Sequence, residues 1–342
     1  MRNVRLVYRV SCRSSRSRVR GFSLVELMVA LVLGLIIVGG VISIFLSNQQ
    51  AARANEGLAR LQENARVAFE LMARDVRQAG GNLCGATVTA NVLNNAAATW
   101  WADWDGGVIR GYDETQDTVG IVPFGLGVGQ RVAGTHAVAV LSGGMFNGFV
   151  VTGHNPTTHV FSLNTPNHDL AAGDVVMVCD GASAAIAQLS AVSGAPIGSL
   201  THAQAGTLNT TTDLGFPLGS PKTFQPGGMV SRYTANFWYV GHNPRGGTSL
   251  YRMNRTGVPE EVAESVTGMQ AQFLLRNQTS GNLGNDWVTA SAVAAWDNAA
   301  ADLVVAVRLT LDLETTNRVG TDQQPLRRQL FHVVNLRNRP AP

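Results

Sequence analysis

Glu26 has the most unusual chemical setting in this sequence, because its carboxylate stands at the edge of a long apolar segment. Residues 27–46 are a run of twenty positions without a charge. As a helix, at 1.5 Å of rise per residue, such a run spans the hydrocarbon layer of a membrane, which is about 30 Å thick. A carboxylate without a partner costs roughly 2.5–3.5 kcal/mol at the membrane centre and less near the interface. The position of Glu26 therefore predicts a partner for its charge.

The segment before the apolar run is basic and indicates the orientation of the membrane helix. Residues 1–20 contain seven arginines and no acid, and basic residues favour the cytoplasmic side of a membrane. We therefore expect a cytoplasmic N-terminus and an exported remainder. An ordinary secretory signal has its small residues after the apolar core, whereas Gly21 comes before it. A cut at Gly21 would remove the basic leader and keep the helix on the exported protein.

The sequence Gly-Phe-Ser-Leu-Val-Glu-Leu at 21–27 resembles the processing site of type IV prepilins and type II secretion pseudopilins. In that family a membrane aspartyl peptidase, the prepilin peptidase, cuts after the glycine and methylates the new N-terminal phenylalanine. The resemblance implies that residues 1–21 are a removed leader, that Phe22 is the methylated terminus, and that Glu26 is the carboxylate used in subunit assembly. An uncleaved signal anchor with an accidental glutamate is the alternative.

Cleavage at this site would supply the partner of Glu26. The amine of Phe22 on one subunit can approach Glu26 of a neighbouring subunit, and methylation retains the positive charge of the amine. In a low dielectric, such a pair attracts strongly and compensates the buried carboxylate. The pair can therefore set the register between subunits.

Removal of the leader changes the cysteine count and the net charge. Cys12 would leave with the leader, whereas Cys84 and Cys179 would remain in a compartment that allows oxidation. We expect a disulfide between them, and two buried free thiols are the alternative.

Seven of the 26 basic residues lie in the leader, so 19 basic and 23 acidic residues give the mature chain a net charge of −4. This charge gives no support for a nucleic-acid partner.

The apolar pattern predicts a long helix followed by a β-rich head. Residues 22–47 are the expected transmembrane part, and apolar residues at three- and four-residue intervals continue the helix over 48–80, where Gly80 and Gly81 end it. In the head, 81–342, a short helix is expected at 261–269. Strands are expected at 137–141, 148–151, 159–163, 175–179, 233–240, 249–253, 270–275, 305–314 and 330–336. The predicted fold class is α+β and pilin-like, with the helix packed on an antiparallel sheet that has long loops.

Further segments resemble the PilW-type minor pilins, in the same order along the chain. They lie at 61–66, 72–80, 249–252, 266–270 and 335–339. The resemblance implies a structural subunit of the type IV pilus that helps to initiate assembly, sits at or near the tip, and supports twitching motility and adhesion. The implied partners are the prepilin peptidase, other minor pilins, the major pilin, the inner-membrane assembly platform and, in some systems, a tip adhesin. The implied location is the inner membrane and then the pilus of a Gram-negative bacterium.

Two other functions stay open at this point. A J-type minor pseudopilin of a type II secretion system shares the long helix and the β-rich head. A membrane-anchored adhesin that does not polymerise belongs to another class, and it would not depend on Glu26.

An enzyme is not expected from the residues of this chain, and neither a metal nor a cofactor is expected. The seven histidines are dispersed, and His154 and His159 lie five residues apart in turn-like sequence. Ser142 lacks the glycine pattern of a nucleophile elbow. The glycines at 125–129 lack the Lys-Ser/Thr ending of a phosphate-binding loop.

Three tryptophans in five residues, Trp100, Trp101 and Trp104, are the most unusual patch of the head sequence. Such rings can anchor a partner subunit or a glycan, and packing against the helix or a neighbouring subunit is the alternative. The acidic residues at 103–117 are of the type that binds calcium. Their spacing is unlike that of an EF-hand, which favours a solvated loop.

Overall fold

The computed structural model describes residues 21–144, 148–318, 320 and 324–338. The chain divides into two compact units, of which one ends at Arg53 and the other covers Ala54–Pro342. The expected leader lies outside the described residues except for Gly21, and so does Cys12.

The long helix α1 covers Leu24–Gln78, which begins and ends two residues inside the predicted range of 22–80. Leucine, alanine, arginine and glutamate, which all favour helix, make up much of its sequence. The helix ends because Gly80 takes a φ of 71°, a left-handed conformation that costs little without a Cβ. The N–H of Gly80 then donates to the Leu141 carbonyl at 2.9 Å. The end of the helix is thereby tied to the head.

The first part of α1 is exposed and strongly apolar. It contains a window with a mean hydropathy of 2.9, long and apolar enough to cross a membrane, and none of that window is buried within the structure. An apolar surface of this size requires lipid or neighbouring helices around it.

The second part of α1 is amphipathic, as the spacing of its apolar residues predicts. Ion pairs such as Glu56–Arg60, at 2.7 Å, and Arg66–Glu70, at 3.0 Å, lie on its solvent side. One side of the helix is buried in the head and consists of Leu61, Ala65, Ala68, Met72, Ala73 and Val76. These six residues belong to the main hydrophobic core, which also contains residues of all three sheets of the head. Burial of this side fixes the second half of the helix to the sheets.

In the described residues, the head forms three β-sheets. In chain order, the strands are β1 (Thr89–Asn91), β2 (Ile109–Tyr112), β3 (Ala137–Ser142), β4 (Phe149–Asn155), β5 (Val160–Leu163), β6 (Val175–Cys179), β7 (Ala184–Gln188), β8 (Ala191–Ser193), β9 (Ser199–Thr201), β10 (Met229–Arg232), β11 (Thr234–His242), β12 (Thr248–Asn254), β13 (Pro259–Glu264), β14 (Val266–Asn277), β15 (Asp302–Glu314) and β16 (Arg327–Asn335). The sheet orders are β1-β7-β6-β10-β4-β5-β9-β8, β13-β12-β11-β3-β2 and β14-β15-β16. Strands β1 and β7 are parallel, and the other strand pairs of these sheets are antiparallel. The predicted α+β fold with an antiparallel head is confirmed.

The expected short helix at 261–269 is wrong. Residues Pro259–Glu264 form β13, which pairs with β12, and Val266–Asn277 form β14. Between them Ser265 has a φ of 66°, which turns the chain from one sheet into another. Pairing of this segment with β12 outweighs the helical spacing of its apolar residues. An ion pair between Arg252 and Glu260, at 2.6 Å, supports that pairing.

Candidate processing and assembly site

The bond between Gly21 and Phe22 lies outside the helix, because α1 begins only at Leu24. Gly21 is exposed, and the Phe22 side chain is 81 % exposed. Among the described residues, and apart from Gly21 and its two neighbours in the chain, no atom lies within 4 Å of the position that a Cβ on Gly21 would take. The residues on both sides of the expected cut are therefore accessible to a peptidase.

Ser23 and Glu26 exchange hydrogen bonds at the start of α1. The backbone N–H of Glu26 donates to the Ser23 Oγ at 3.1 Å, and the backbone N–H of Ser23 donates to a Glu26 carboxylate oxygen at 3.5 Å. This arrangement is a capping box, which satisfies two N–H groups that have no acceptor within the helix. Ser23 is a residue that was not predicted from the sequence, although the Ser-x-x-Glu pattern at 23–26 signals it.

The capping box places the Glu26 carboxylate close to the terminus that cleavage would create. Ser23, whose N–H it accepts, would be the second residue of a chain that begins at Phe22. The partial positive charge of the helix N-terminus also favours a carboxylate at this position. Because Glu26 remains exposed, its carboxylate can also pair with a cationic group.

The expected disulfide is confirmed. Cys84 and Cys179 are joined, with their Cα atoms 5.9 Å apart and a sequence separation of 95. The bond connects the segment that follows α1 to the end of β6. Asn82 shapes this segment, since its side-chain oxygen accepts the backbone N–H groups of Cys84, at 3.1 Å, and Ala86, at 2.9 Å.

The three tryptophans lie against the core of the head. Trp104 is 6 % exposed and its ring centroid lies 6.1 Å from that of Tyr233. Trp100 is half-buried and meets Phe237 edge to face at 5.7 Å, and Trp101 is half-buried too. The burial of Trp104 within the head is what the packing alternative expects. A partner contact stays a prediction for the three tryptophans.

Asp75 joins α1 to the second sheet by hydrogen bonds that the sequence does not reveal. Its Oδ2 accepts from the Asn236 Nδ2 and from the Trp238 Nε1, both at 2.9 Å. Burial raises the pKa of Asp75, while the hydrogen bonds from Trp238 and Asn236 and the charge of Arg252 oppose that rise. The carboxylate therefore holds the helix in one register on β11.

Four of the five acidic residues at 103–117, namely Asp103, Asp113, Glu114 and Asp117, are engaged with protein groups. Asp103 accepts from the Gly106 N–H at 2.9 Å and lies 3.5 Å from an Arg110 guanidinium nitrogen. Burial raises the pKa of Asp113, but hydrogen bonds from Ser291 and Thr115 lower it to about 2. In the part of the chain that the structure describes, no group of three or more His, Cys, Asp and Glu side chains is arranged to hold a metal ion.

A comparison with known protein families finds a match for the N-terminal segment. Residues 16–42 match the prokaryotic N-terminal methylation motif, a range that includes Gly21, Phe22 and Glu26. No curated protein and no solved structure matches the chain. The motif implies processing by the prepilin peptidase in the context of pilus assembly. Together with the apolar helix and the antiparallel head, it supports a type IV pilin-like protein with a pilin or pseudopilin type of function.

Proposed function

We propose that this chain is a minor pilin that helps to initiate the type IV pilus and is incorporated at or near its tip. The observation that carries the proposal is the junction of the methylation motif with the apolar half of α1. The role is structural rather than catalytic. Twitching motility and adhesion would depend on it through the assembled pilus.

The assembly step follows from the geometry of the N-terminus. A cut after Gly21 leaves a cationic amine on Phe22, one residue away from Ser23 and its hydrogen bond to Glu26. In the membrane, that amine pairs with the Glu26 carboxylate of a subunit already in place, because neither charge is well solvated there. The apolar surface of α1 then packs against neighbouring helices.

The size of the head favours a minor subunit over the main subunit of the fibre. Three sheets and their long loops follow α1, and a head of this bulk is costly to repeat in tight helical packing. The similarities to PilW-type minor pilins at 61–66, 72–80 and 249–252 support the same role.

Replacement of Glu26 by alanine tests the assembly step. We expect E26A to insert into the membrane and to be processed normally, yet to be missing from sheared pili on immunoblots. The matched control is E63A, which removes an exposed carboxylate of the same helix and should enter pili like the wild type. Equal amounts of E26A and wild type in sheared pili would refute the proposed pairing.

Deletion of the gene separates the remaining candidates. A minor pilin predicts loss of twitching motility with intact protein secretion, whereas a J-type pseudopilin predicts the reverse. An adhesin that does not polymerise predicts that the protein stays in the inner membrane, whatever residue stands at position 26.

A further inference from the structure

The chain between β3 and β11 leaves the second sheet and returns to it at one place. Ser142, the last residue of β3, is paired with Thr234, the first residue of β11, and the Thr234 hydroxyl donates to the Ser142 carbonyl at 3.3 Å. Just beyond this pair, the Ser231 hydroxyl donates to the Gly143 carbonyl. The two strands are antiparallel neighbours of the kind that a short hairpin turn joins, yet residues 143–233 lie between them.

This segment, 143–233, builds most of the first sheet and has a hydrophobic core of its own. The strands β4 to β10 all belong to it, and β1 joins the sheet at one edge. One face of the sheet packs into a core that is separate from the core around α1. Among the described residues, every buried member of this second core lies within the segment, apart from Ala90 and Val92. The segment therefore has apolar contacts that do not involve α1.

The opposite face of the first sheet packs against the main core. The residues that contribute to it are Val175, Met177 and Cys179 of β6 and Ala184 and Ile186 of β7. The disulfide adds a covalent bond at the end of β6. These contacts fix the segment on the head, so its removal should lower the stability of the head.

The hydrogen bonds that hold α1 on the head end outside this segment. The Asn64 Nδ2 donates to the Glu264 carbonyl of β13 at 3.3 Å, and the carboxylate of Asp75 accepts from two side chains of β11. At the end of the helix, the Asn338 Nδ2 donates to the Arg77 carbonyl at 3.5 Å. The position of α1 is therefore fixed by the second sheet and by the residues that follow the third.

We propose that residues 143–233 are an inserted module and that entry into the filament does not require it. The surfaces that neighbouring subunits contact then lie on α1 and on the second and third sheets. A host fold keeps its strand pairing when both connections to an insertion leave it at one place. The inference rests on the proposed function, because it names the part of the chain that packs in the assembled pilus.

A shortened chain tests the proposal. In it, Ser142 is joined to Thr234 through Asn-Gly, which favours a two-residue hairpin turn, and C84S removes the thiol whose partner, Cys179, leaves with the module. The readout is the amount of protein in sheared pili divided by the amount in the membrane, because reduced stability lowers the abundance of a protein in the cell. We expect this ratio to equal that of the wild type. E26A should abolish it in the shortened chain, as in the full chain.

A matched pair of substitutions tests the same claim without a deletion. Phe161 lies in the core of the inserted module and Phe273 in the main core, and both are 0 % exposed. F161A and F273A each remove a buried ring and should loosen the core in which that ring lies. In F161A, the amides of β4, β5 and β9 should exchange faster while the ratio of pilus to membrane protein stays unchanged. F273A should lower that ratio.

Two results would overturn the proposal. The first is a shortened chain that unfolds cooperatively in urea, and is therefore folded, but is absent from pili that contain the wild type. The second is an equal loss of F161A and F273A from pili, and this comparison decides alone if the shortened chain does not fold. Absence of the wild type itself from sheared pili would refute the proposed function and, with it, the inference.

Discussion

At the scale of single residues, the N-terminus of α1 combines two roles in one carboxylate. Glu26 caps its own helix through Ser23 and, in the proposed function, also pairs with the amine of a neighbouring subunit. The capping box limits the positions that the carboxylate can take before the neighbour arrives. Preorganisation of this kind lowers the entropic cost of forming the pair.

Replacement of Ser23 by alanine tests the capping role. The loss of an N-cap acceptor costs about 1 kcal/mol, so the backbone amide of Glu26 should exchange with solvent several times faster in S23A. Hydrogen exchange measured by NMR in detergent micelles gives this rate. S43A, at an exposed serine further along α1, is the control and should not change it. Equal exchange at residue 26 in S23A and wild type would argue against the capping box.

Asp75 provides a second prediction at this scale. D75A removes the acceptor of two side-chain donors, the Trp238 Nε1 and the Asn236 Nδ2. The Trp238 ring is 1 % exposed. Each buried donor left unsatisfied costs roughly 1–3 kcal/mol, so the urea midpoint of the head should fall clearly. R74A changes the neighbouring exposed residue of the same helix and should have a small effect. Equal midpoints for D75A and R74A would show that the contact does not stabilise the head.

At the scale of elements, a pair of histidines joins β4 to the end of β9. The Phe224 N–H donates to the His154 Nδ1 at 3.2 Å, so the His154 Nε2 holds the proton that faces the His202 Nε2 at 3.0 Å. His159 lies on the other side of His202, with ring centroids 5.7 Å apart. Burial lowers the pKa of His154 to about 4 and that of His202 to about 3. The pair is therefore neutral in the folded head.

This pair predicts how stability depends on pH. The pKa of histidine in an unfolded chain is near 6.5. Between that pH and about pH 3, the unfolded chain therefore binds more protons than the folded one. The free energy of unfolding falls as the pH falls through this range. We expect the urea midpoint to decrease from pH 7 to pH 4. In H154N, whose amide oxygen can still accept the Phe224 N–H and does not titrate, this decrease should be smaller. The same pH dependence in wild type and H154N would contradict the role of the pair.

The disulfide gives another prediction at the scale of elements. A bond that closes a loop with a separation of 95 residues stabilises by about 4–5 kcal/mol in the chain-entropy model. The double variant C84S/C179S should therefore unfold at a much lower urea concentration than the oxidised wild type, and close to the reduced wild type. If reduction leaves the midpoint of the wild type unchanged, the bond does not constrain the unfolded chain as expected.

The end of α1 and the strand β15 could be predicted because their signals lie in neighbouring residues: Gly80 for the end of the helix and the alternation of side chains for the strand. The pairing of Cys84 with Cys179 could be predicted because these two cysteines remain after the leader is removed. The strand at Pro259–Glu264 could not be predicted, because its pairing with β12 outweighs its own helical spacing. The contacts of Asp75 join residues more than 160 positions apart, and no local pattern encodes them.

At the scale of the whole molecule, the two units have different environments. The first unit exposes an apolar helix that requires lipid or other helices, whereas the second contains the three sheets and the disulfide. In the proposed function, removal of the basic leader converts a membrane-anchored precursor into a subunit that can polymerise. The change of net charge from +3 to −4 accompanies that step.

The intact mass of the polypeptide recovered from sheared pili tests this claim most directly. We predict a chain that begins at Phe22, carries one methyl group, and lacks the two hydrogens that the Cys84–Cys179 disulfide removes. A chain that begins at Met1 and retains its arginine-rich segment would contradict the account.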